Sequence, residues 1–597
     1  MRRLVPAIFG IFGHGNVAGL GQALVEHGAE LPYYRPYNEQ SMVHTAVGFA
    51  RATNRRATLA CTSSIGPGAT NMVTGAAAAT INRLPVLLLP GDYYAMRRQG
   101  PVLQQLEHPV SADVSVNDCL RPVSRFFDRI TRPEQLVDAL PEAMRVLADP
   151  VETGAVTIAL PQDVQAEAYD YPEELFRERR WEIERRPPAQ SALRAAVELL
   201  RSAARPFVIA GGGVHYSEAW DELLAFARAW GIPVGEPHAG RGAVREPSPL
   251  ALGGVGVAGN PAAGAVAADA DLVICVGTRL TDFTTGSRSL FRHPGVRFLT
   301  INVDGRDAAK LGAVPVRADA REALAALAAA ASGAPRDGGY LAEGEEARSG
   351  WLARVREEVR TRPPGEPLRQ PQALLVVNEL ARPGDVIVAA AGSTPGDVCQ
   401  LWDCTDGTRA QIEYGYSCMG HELPGGLGVR LAGAAGEVYV LIGDGTYLMN
   451  PSELATAVQE RLKVTVLLMD NHGYQVIRRL QLATVGTSFG NEFRARDGSS
   501  GTFDGDYFEV DFCANAASFG ARAWHVATEG ELRRALEEAR AEDGPCLIHV
   551  EVAKHVFGPP SGVWWDVAPA EVSDDPETNR LRAAHERDRG AAQRYYG

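Results

Sequence analysis

Residues 438–474, VYVLIGDGTYLMNPSELATAVQERLKVTVLLMDNHGY, constrain the fold more strongly than any other stretch of the chain. One apolar run ends at Gly443-Asp444-Gly445, and a second apolar run, 464–469, ends at Asp470-Asn471. Continuous apolar runs of this length predict buried parallel strands, and parallel strands need a crossover helix between them. The chain therefore places Asp444 and Asn471 at the carboxyl ends of two parallel strands, where open α/β sheets bind ligands.

The start of the crossover helix has a sequence signature of its own. Asn450 is a suitable N-cap, Pro451 suits the first helical position, and Glu453 completes a capping-box pattern. We therefore predict a helix that begins directly after Asn450.

The same alternation of apolar runs and helical stretches continues along the chain. Runs such as LPVLLLPG, PFVIAGGG, DLVICVG and DVIVAAAG predict buried parallel strands in α/β layers. Two charged, proline-containing stretches, 173–190 and 333–372, are interpreted as linkers. The predicted fold class is α/β, with three doubly wound parallel-sheet domains at 1–172, 190–333 and 370–565. The polar tail, 566–597, is expected to be either a frayed helix or a strap over a neighbour.

The charge balance and the cysteines exclude several classes of protein. The chain has 59 basic and 73 acidic residues, a net charge of −14, which argues against a protein that binds nucleic acid or an anionic membrane. No apolar run reaches the roughly 20 residues that a membrane span needs. The eight cysteines form no C-x-x-C pair and no zinc spacing, as expected for reduced thiols in a cytoplasmic protein.

The residues at the two strand ends have the chemistry of a magnesium–diphosphate site. Asp444 offers a carboxylate oxygen, Asn471 an amide oxygen and Gly473 a backbone carbonyl, which are ligands that Mg²⁺ prefers. Gly445 and the hydroxyl of Thr446 allow phosphate oxygens to approach the backbone closely. The alternative is a strand–turn–helix corner that binds no ligand.

A glycine-rich loop near the N-terminus, GIFGHGNVAGLGQAL, raises a different possibility. Gly13, Gly15 and Gly19 precede a helical stretch, and Glu39 follows Gly19 by 20 residues, as in the dinucleotide sites of NAD or FAD oxidoreductases. However, Gly19 falls one position late for that motif. Glu39 also opens an amphipathic helix with Asn38 as its cap, whereas a ribose-binding acid should end a strand.

The GDG motif followed by Asn471 resembles the diphosphate–Mg²⁺ motif of thiamine-diphosphate enzymes, in the acetohydroxyacid synthase and pyruvate decarboxylase group. Their usual ending is Asn-Asn, whereas this chain has Asp470-Asn471. The resemblance implies two cofactors, thiamine diphosphate and Mg²⁺, with the metal held by Asp444, Asn471 and the carbonyl of Gly473. It also implies that Gly392 and Ser393, in AAAGSTPGD, help to hold the diphosphate.

Two further stretches resemble the same superfamily. RPYNEQSMVHTAVGFAR is similar to the pyrimidine-binding domain, which implies that Glu39 hydrogen-bonds the ring nitrogen N1′ of the cofactor. YSCMGHELPGGLG is similar to the stretch that bends the cofactor, which implies that role for Met419. By this resemblance 1–172 is the pyrimidine-binding domain, 190–333 a central Rossmann-like domain and 370–565 the diphosphate-binding domain. The cofactor-binding residues are then Glu39, Gly392, Ser393, Met419, Gly443, Asp444, Gly445, Thr446, Asn471, Gly473 and Tyr474.

Within this superfamily, whole stretches look like the trihydroxycyclohexane-1,2-dione hydrolases of inositol catabolism. Examples are FGIFGHGNVAGLGQAL, VNDCLRPVSRFFDRITRPEQL, CVGTRLTDFTTGS and SFGNEFR. The resemblance implies hydrolytic C–C ring cleavage of a cyclic polyhydroxy-dione substrate to 5-deoxyglucuronate. It also implies a homodimer or homotetramer with active sites at the subunit interface. Residues expected to act in catalysis, or on water and substrate hydroxyls, are Glu39, His14, Asn16, Gln104 and Gln105.

Two alternative functions and two further questions stay open at this point. An acetohydroxyacid synthase-like carboligase would use the same cofactor, and an NAD or FAD oxidoreductase would use the Gly13–Gly19 loop. The central segment carries IAGGGV, where related enzymes hold FAD, although a plain glycine turn is the stronger expectation. Arg478 and Arg479 stand where smaller polar residues are expected, which puts the substrate in doubt if they line its channel.

Overall fold

The apolar runs of the sequence form parallel strands in three separate sheets. The structure is a computed structural model that describes residues 4–331, 338–361 and 365–596. Each sheet has six strands, and every strand pairing in these sheets is parallel. The predicted fold class, three doubly wound parallel-sheet domains, is confirmed.

The first domain contains the N-terminal sheet, with strand order β2-β1-β3-β4-β6-β5. Its strands are β1 (Ile8–Gly10), β2 (Tyr33–Tyr34), β3 (Ala60–Ser63), β4 (Val86–Asp92), β5 (Phe126–Arg129) and β6 (Ala155–Pro161). Its α-helices are α1 (Gly19–His27), α2 (Glu39–Ala52), α3 (Pro67–Asn71), α4 (Val73–Asn82) and α5 (Leu136–Ala148).

The central domain contains the second sheet, with strand order β12-β11-β10-β7-β8-β9. Its strands are β7 (Pro206–Ala210), β8 (Val234–Glu236), β9 (Ala251–Gly254), β10 (Leu272–Val276), β11 (Arg297–Asn302) and β12 (Val314–Arg317). Its α-helices are α6 (Gln190–Ser202), α7 (Gly212–Tyr216), α8 (Trp220–Trp230), α9 (Pro261–Ala268), α10 (Asp282–Thr285), α11 (Gly305–Ala308) and α12 (Ala320–Ala329); α13 (Gly338–Arg360) follows.

The third domain contains the last sheet, with strand order β14-β13-β15-β16-β18-β17. Its strands are β13 (Val386–Ala389), β14 (Arg409–Ile412), β15 (Val438–Gly443), β16 (Thr465–Asp470), β17 (Arg522–Val526) and β18 (Cys546–Glu551). Its α-helices are α14 (Gln370–Leu380), α15 (Thr394–Leu401), α16 (Glu422–Leu431), α17 (Asp444–Tyr447), α18 (Glu453–Gln459), α19 (Gln475–Val485), α20 (Phe512–Ser518), α21 (Glu529–Ala541) and the tail helix α22 (Pro576–Ala592).

The order of the third sheet explains where its ligand-binding edge lies. The strands that follow β13 in the chain lie on both sides of it, so the connections reverse direction between β13 and β15. Loops after neighbouring strands diverge at such a point and leave a crevice at the carboxyl edge. The loops after β13, β15 and β16 carry Gly392, Asp444 and Asn471, respectively.

The N-terminal glycines serve close packing between two loops of the first domain. A side chain on Gly13 would overlap Ser64, and one on Gly15 would overlap Ile65, both in the loop after β3. The sheet reverses direction between β1 and β3, so these two loops lie at the corresponding edge of the first sheet.

The first and third domains meet where α2 crosses α16. Gly48 of α2 lies against the backbone of Gly425, and Gly428 lies against the backbone of α2, so a side chain at Gly48 or Gly428 would overlap backbone atoms. Next to this crossing, His44 and His421 are buried with their Nδ1 atoms 3.3 Å apart. The absence of side chains at the glycines allows the two helices to approach closely.

The predicted start of the crossover helix is wrong. The chain after β15 forms the short helix α17, turns, and begins α18 only at Glu453. Asn450 and Pro451 lie in that turn, and the Asn450 side chain bonds to the α2 residue Ser41 instead of capping a helix. A tertiary contact has therefore replaced the local cap.

The second predicted linker is largely helical. Trp351, Val355 and Val359 of α13 recur every four residues and are buried in the core of the third domain, while Tyr340 joins the core of the central domain. The helix therefore connects two hydrophobic cores. Residues 332–337 and 362–364 of this predicted linker lie outside the described residues.

The predicted tail forms a helix that packs on its own chain. The hydroxyl of Thr578 in α22 donates to the carbonyl of Val485 at the end of α19. Farther along, the ring of Tyr596 contacts Phe291 and Phe298 of the central domain.

The sulfur chemistry of the cysteines and the apolar length of the helices can be compared with the expectations from composition. All eight cysteines are free; Cys119 and Cys513 are half-buried and the other six are buried. Across the described part of the chain, no helix is both long and apolar enough to cross a bilayer.

The histidine pair at the α2–α16 crossing predicts acid sensitivity. Burial, together with the neighbouring His421, lowers the pKa of His44 to about 3, and burial lowers the pKa of His421 to about 3. Unfolded histidine titrates near 6.5, so the unfolded state binds more protons below that pH. Stability should fall between pH 6.5 and 3, by up to about 1.4 kcal/mol per pH unit for each histidine.

The measurement is the unfolding midpoint from pH 7.5 to 5 for the wild type, His421→Asn and the exposed-site control His27→Asn. We expect a flatter pH dependence only for His421→Asn. Parallel pH profiles for all three proteins would contradict the assignment.

Candidate functional site

Asp444 joins the ends of the two central strands of the third domain. It is the first residue of α17 and is buried directly after β15. Its Oδ1 accepts a hydrogen bond from the backbone N–H of Gly445 at 2.8 Å, and its Oδ2 accepts one from the N–H of Gly473 at 2.9 Å. A single carboxylate thus fixes the loop after β15 against the loop after β16.

The amide oxygen of Asn471 is buried and accepts no hydrogen bond from the residues that the structure describes. An unsatisfied buried oxygen costs about 1–3 kcal/mol unless a ligand engages it. The backbone around it is specialised, since His472 has φ +55° and Gly473 has φ +151°. A bound cation would satisfy the Asn471 oxygen and compensate the Asp444 charge.

The electrostatics explain why Asp470 can replace the usual asparagine. Burial and the neighbouring Asp470 raise the pKa of Asp444 well above its ordinary value. Asp470 itself is paired with His549, whose Nε2 lies 2.9 Å from its Oδ2. Burial lowers the pKa of His549, but hydrogen bonds with Asp470 and Cys513 outweigh that effect and raise it to about 9. The extra carboxylate is therefore neutralised by a cation within the domain.

The predicted diphosphate loop after β13 borders open space. Gly392 is exposed with φ +83°, and no atom lies within 4 Å of where its side chain would be. The space beside Gly443 is equally open. The hydroxyl of Ser393 donates to Oε1 of Gln370 at 3.0 Å, and Thr446 is buried in α17. These loops leave room for a ligand at the sheet edge.

The donor set suits a hard cation that also binds phosphate. The described part of the chain has no cluster of three His, Cys, Asp or Glu side chains able to hold a metal. The candidate site would instead combine one carboxylate, one amide oxygen and one backbone carbonyl. Mg²⁺ is commonly bound in this way, with the remaining ligands supplied by water and phosphate.

Residues 491–493, here called the covering segment, pack over residues 471–474, here called the metal loop because they contain two of the proposed metal ligands. The sequence analysis did not single out the covering segment as functional. The N–H of Tyr474 donates to the carbonyl of Asn491 at 2.7 Å, and the N–H of Phe493 donates to the carbonyl of His472 at 2.9 Å. The ring of Tyr474 packs edge-on against Phe493, and a side chain on Gly445 would overlap Tyr474. The sequence SFGNEFR, residues 488–494, indicated the enzyme family but did not predict that this segment packs against the loop after β16.

Glu492 anchors the covering segment electrostatically. It accepts hydrogen bonds from the hydroxyl of Tyr507 at 2.6 Å and from His555 at 3.0 Å, and it lies 3.6 Å from Arg478 and Arg494. Burial raises the pKa of Glu492, but these partners lower it to about 2. Arg478 is therefore paired with Glu492.

The other unexpected arginine is also engaged within the chain. The guanidinium of Arg479 stacks over the ring of Phe557 at 5.1 Å.

Glu39 lies in the first domain, at the first turn of α2. The side chain of Asn38 caps this helix by accepting from the N–H groups of Gln40 and Ser41. Glu39 is half-buried, and its Oε2 accepts a hydrogen bond from Asn71 at 3.0 Å. A side chain on Gly68 would touch its Oε1 at 3.1 Å. Asn71 and Gly68 stand in TSSIGPGATN, but no motif in that stretch identified them.

The other predicted catalytic residues occupy different environments. His14 is exposed, whereas Asn16 is buried and uses its amide within the fold, accepting from Gly13 and donating to Ile11 and Thr62. Gln104 is exposed with φ +63°, and its carbonyl lies against Gly66.

Gln105 combines a satisfied and an unsatisfied group. Its Oε1 accepts from the N–H of Val116 at 3.2 Å, while its Nε2 is buried without a partner among the described residues.

Met419 lies where the third domain meets α2. It is half-buried between Cys418, whose sulfur is 3.5 Å from Nε2 of His44, and Gly420, whose carbonyl accepts a hydrogen bond from Asn450.

The structure thus brings the predicted residues together in two groups. Asp444, Asn471 and Gly473 form one group, and Glu39 belongs to the other. Within the described ranges, no hydrogen bond or ion pair directly joins Glu39 to Asp444 or Asn471.

The central domain has a cavity of about 400 Å³ at its own carboxyl edge. Gly211–Gly213 and Gly277 line it, as do the side chains of Arg55 and Arg279. It is separate from both groups of predicted site residues.

The chain matches three family descriptions along its length. Residues 2–111 match the thiamine pyrophosphate enzyme N-terminal TPP binding domain. Residues 193–327 match the central domain of thiamine pyrophosphate enzymes, and residues 390–550 match their C-terminal TPP binding domain.

Curated relatives resemble the whole chain. The 3D-(3,5/4)-trihydroxycyclohexane-1,2-dione hydrolase of Bacillus thuringiensis (strain Al Hakam) is 44% identical over 608 positions, covering 98% of this chain and 94% of the relative. The protein of that name from Geobacillus thermodenitrificans (strain NG80-2) is 45% identical over 603 positions, covering 96% and 92%.

The metal site predicts a binding defect without a folding defect. Asp444→Ala and Asn471→Ala should each weaken binding of Mg²⁺ with thiamine diphosphate at least about tenfold, since each removes a proposed ligand oxygen. Isothermal titration calorimetry measures this change. The unfolding midpoint without ligand should change little in Asp444→Ala, because loss of the hydrogen bonds from Gly445 and Gly473 offsets the relief of a buried carboxyl.

Asp497→Ala, in the exposed loop of the same domain, is the matched control and should bind normally. Wild-type affinity in Asp444→Ala would refute the assignment.

Proposed function

Because the chain belongs to the thiamine pyrophosphate enzymes, we propose that it hydrolyses a C–C bond of 3D-(3,5/4)-trihydroxycyclohexane-1,2-dione. The observation that carries this proposal is 44% identity over 98% of the chain to hydrolases of that name. The product is the open-chain acid 5-deoxyglucuronate, and the reaction is a step of inositol catabolism in the cytoplasm. The carboligase and oxidoreductase alternatives have no comparable support.

We propose that Mg²⁺ and the cofactor diphosphate occupy the carboxyl edge of the third sheet. Asp444, Asn471 and the carbonyl of Gly473 would hold the metal. The amide oxygen of Asn471, which accepts no hydrogen bond from the described residues, supports this assignment, as does the open space beside Gly392 and Gly443. When bound, thiamine diphosphate supplies the electron sink that C–C cleavage needs.

Glu39 would hold a proton at the aminopyrimidine nitrogen of the cofactor. Its Oε2 is occupied by Asn71, and its Oε1 lies beside Gly68, where the lack of a side chain keeps approach open. Asn71 thereby orients the carboxyl so that one oxygen stays available for the ring. A carboxyl in a partly dry site can exchange such a proton efficiently.

The substrate hydroxyls and the attacking water need polar partners. The Nε2 of Gln105 is buried without a partner among the described residues, which supports a role as a hydrogen-bond donor. The side chains of His14 and Gln104 are exposed, which supports roles as a proton carrier and a donor, respectively. Asn16 would act through the loop that it fixes, because its amide is already engaged. Hydrolysis of the dione is redox-neutral, so the proposed reaction needs no FAD in the central cavity.

We propose a homodimer or homotetramer in which the two groups of site residues meet between subunits. Large apolar side chains are exposed beside both groups: Val17 and Tyr37 in the first domain, and Met449 and Ile477 in the third, each about half exposed. Their position beside the proposed site residues makes them candidates for contact with a second subunit. A second copy that covered them would bring its Glu39 toward the metal loop.

The proposed reaction predicts a specific product and a specific dependence on Glu39. Wild type with Mg²⁺ and thiamine diphosphate should convert the cyclic dione into an acid heavier by one water, measured by mass spectrometry. Glu39→Gln should lower kcat at least about 100-fold, the scale of losing a general acid–base group, while cofactor affinity stays near wild type. The exposed Glu26→Gln is the control and should be fully active.

Unchanged turnover in Glu39→Gln would sink the role of Glu39. Condensation of two 2-keto acids in place of ring opening would instead favour the carboligase.

A further inference from the structure

The side-chain amide of Asn450, in the third domain, donates one hydrogen bond to the first domain and one to the third. Asn450 is buried in the turn between α17 and α18, and its Nδ2 donates to Oγ of Ser41 at 2.9 Å and to the carbonyl of Gly420 at 2.7 Å. Ser41 stands two residues after Glu39, and Gly420 directly follows Met419. Both N–H groups of the planar amide are used, so the amide holds Ser41 and Gly420 in a fixed relative orientation.

Glu453, the buried first residue of α18, bonds to the chain just before Glu39. The carboxyl of Glu453 is fully buried; its Oε1 accepts from the N–H of Tyr37 at 3.4 Å, and its Oε2 accepts from the hydroxyl of Thr456 at 2.8 Å. Tyr37 stands two residues before Glu39. Third-domain residues of the same chain therefore bond to the residues on both sides of Glu39, to the N–H of Tyr37 and to the hydroxyl of Ser41.

The amide of Asn450 is poorly explained by stability alone. Its Oδ1 is buried and has no partner among the described residues. The two hydrogen bonds that the amide donates together return about as much as one unsatisfied buried acceptor costs. A side chain whose interactions largely cancel in stability is expected where geometry is needed.

We propose that Asn450 is a positioning residue for cofactor activation, acting through Ser41 on Glu39 and through Gly420 on Met419. The inference rests on the proposed function, in which Glu39 and Met419 of one chain contact the cofactors of two different sites at the subunit interface. Without Asn450, α2 would keep its cap, Asn38, and its glycine contacts with α16, so it should still fold. Its first turn would lose the hydrogen bond that holds Ser41 to the third domain, which is one of the contacts that set the position of Glu39.

The test measures cofactor activation separately from binding. The variants are Asn450→Ala, Ser41→Ala and the double mutant, each saturated with Mg²⁺ and thiamine diphosphate. Hydrogen–deuterium exchange at C2 of the bound cofactor, followed by quenched-flow NMR, reports how well Glu39 acts. We expect exchange and kcat to fall at least tenfold in Asn450→Ala, with cofactor Kd and substrate KM changed less than threefold.

The double mutant distinguishes a connected pair from two separate effects. If Asn450 acts through Ser41, adding Ser41→Ala to Asn450→Ala should slow exchange by less than Ser41→Ala does alone. The matched control is Asn378→Ala, which removes a half-buried third-domain amide bonded to Asp403. It should exchange at the wild-type rate even if its unfolding midpoint falls.

Normal exchange in folded Asn450→Ala would overturn the proposal, and so would normal exchange in Ser41→Ala, a smaller change that serves if Asn450→Ala does not fold. Glu39→Gln is measured in parallel. Normal exchange in Glu39→Gln would mean that the proposed role of Glu39 fails. Slow exchange in Glu39→Gln with normal exchange in Asn450→Ala would mean that only the role of Asn450 fails.

Discussion

The contact between the Asp444 carboxylate and the backbone of Gly473 is the interaction on which the rest of the site depends. It ties together the loops after β15 and β16, and it keeps a buried charge at the point where the third sheet reverses direction. A buried carboxylate is costly unless it is paired or bound to a metal. Asp470, the acidic neighbour that raises the pKa of Asp444, is itself paired with His549, so Asp444 is the carboxyl left for a ligand.

The first and third domains are coupled by shape as well as by hydrogen bonds. Glycines at the α2–α16 crossing let two helix backbones approach within one chain, and Asn450 adds a directional tie next to that contact. As a result, the start of α2, where Glu39 stands, is set by the domain that carries the proposed metal ligands of the same chain. One junction therefore joins halves of two neighbouring proposed sites, although no hydrogen bond or ion pair among the described residues joins Glu39 to Asp444 or Asn471 directly.

The sequence predicted those features that depend on local pattern. The apolar runs before Asp444 and Asn471 identified two buried neighbouring strands, because strands covered on both faces are apolar throughout. Asn450 was misread as a helix cap, since a cap and a tertiary tie use the same residue type and only packing decides between them. The apolar positions of α13 were interpreted as part of a linker, because the stretch around them is charged and contains proline. The contacts of Glu39 with Asn71 and of Glu492 with Arg478 join segments that meet only in space, and no spacing rule reveals them.

We propose that Glu39 of one chain and Asp444 of its partner together complete each active site. Mixing Glu39→Gln with Asp444→Ala subunits, both inactive alone, tests it directly. Hybrid dimers would contain one site with both defects and one intact site, so an equal, randomised mixture should recover about a quarter of wild-type turnover. A mixture that stays inactive, although native mass spectrometry shows hybrid dimers, would contradict the claim.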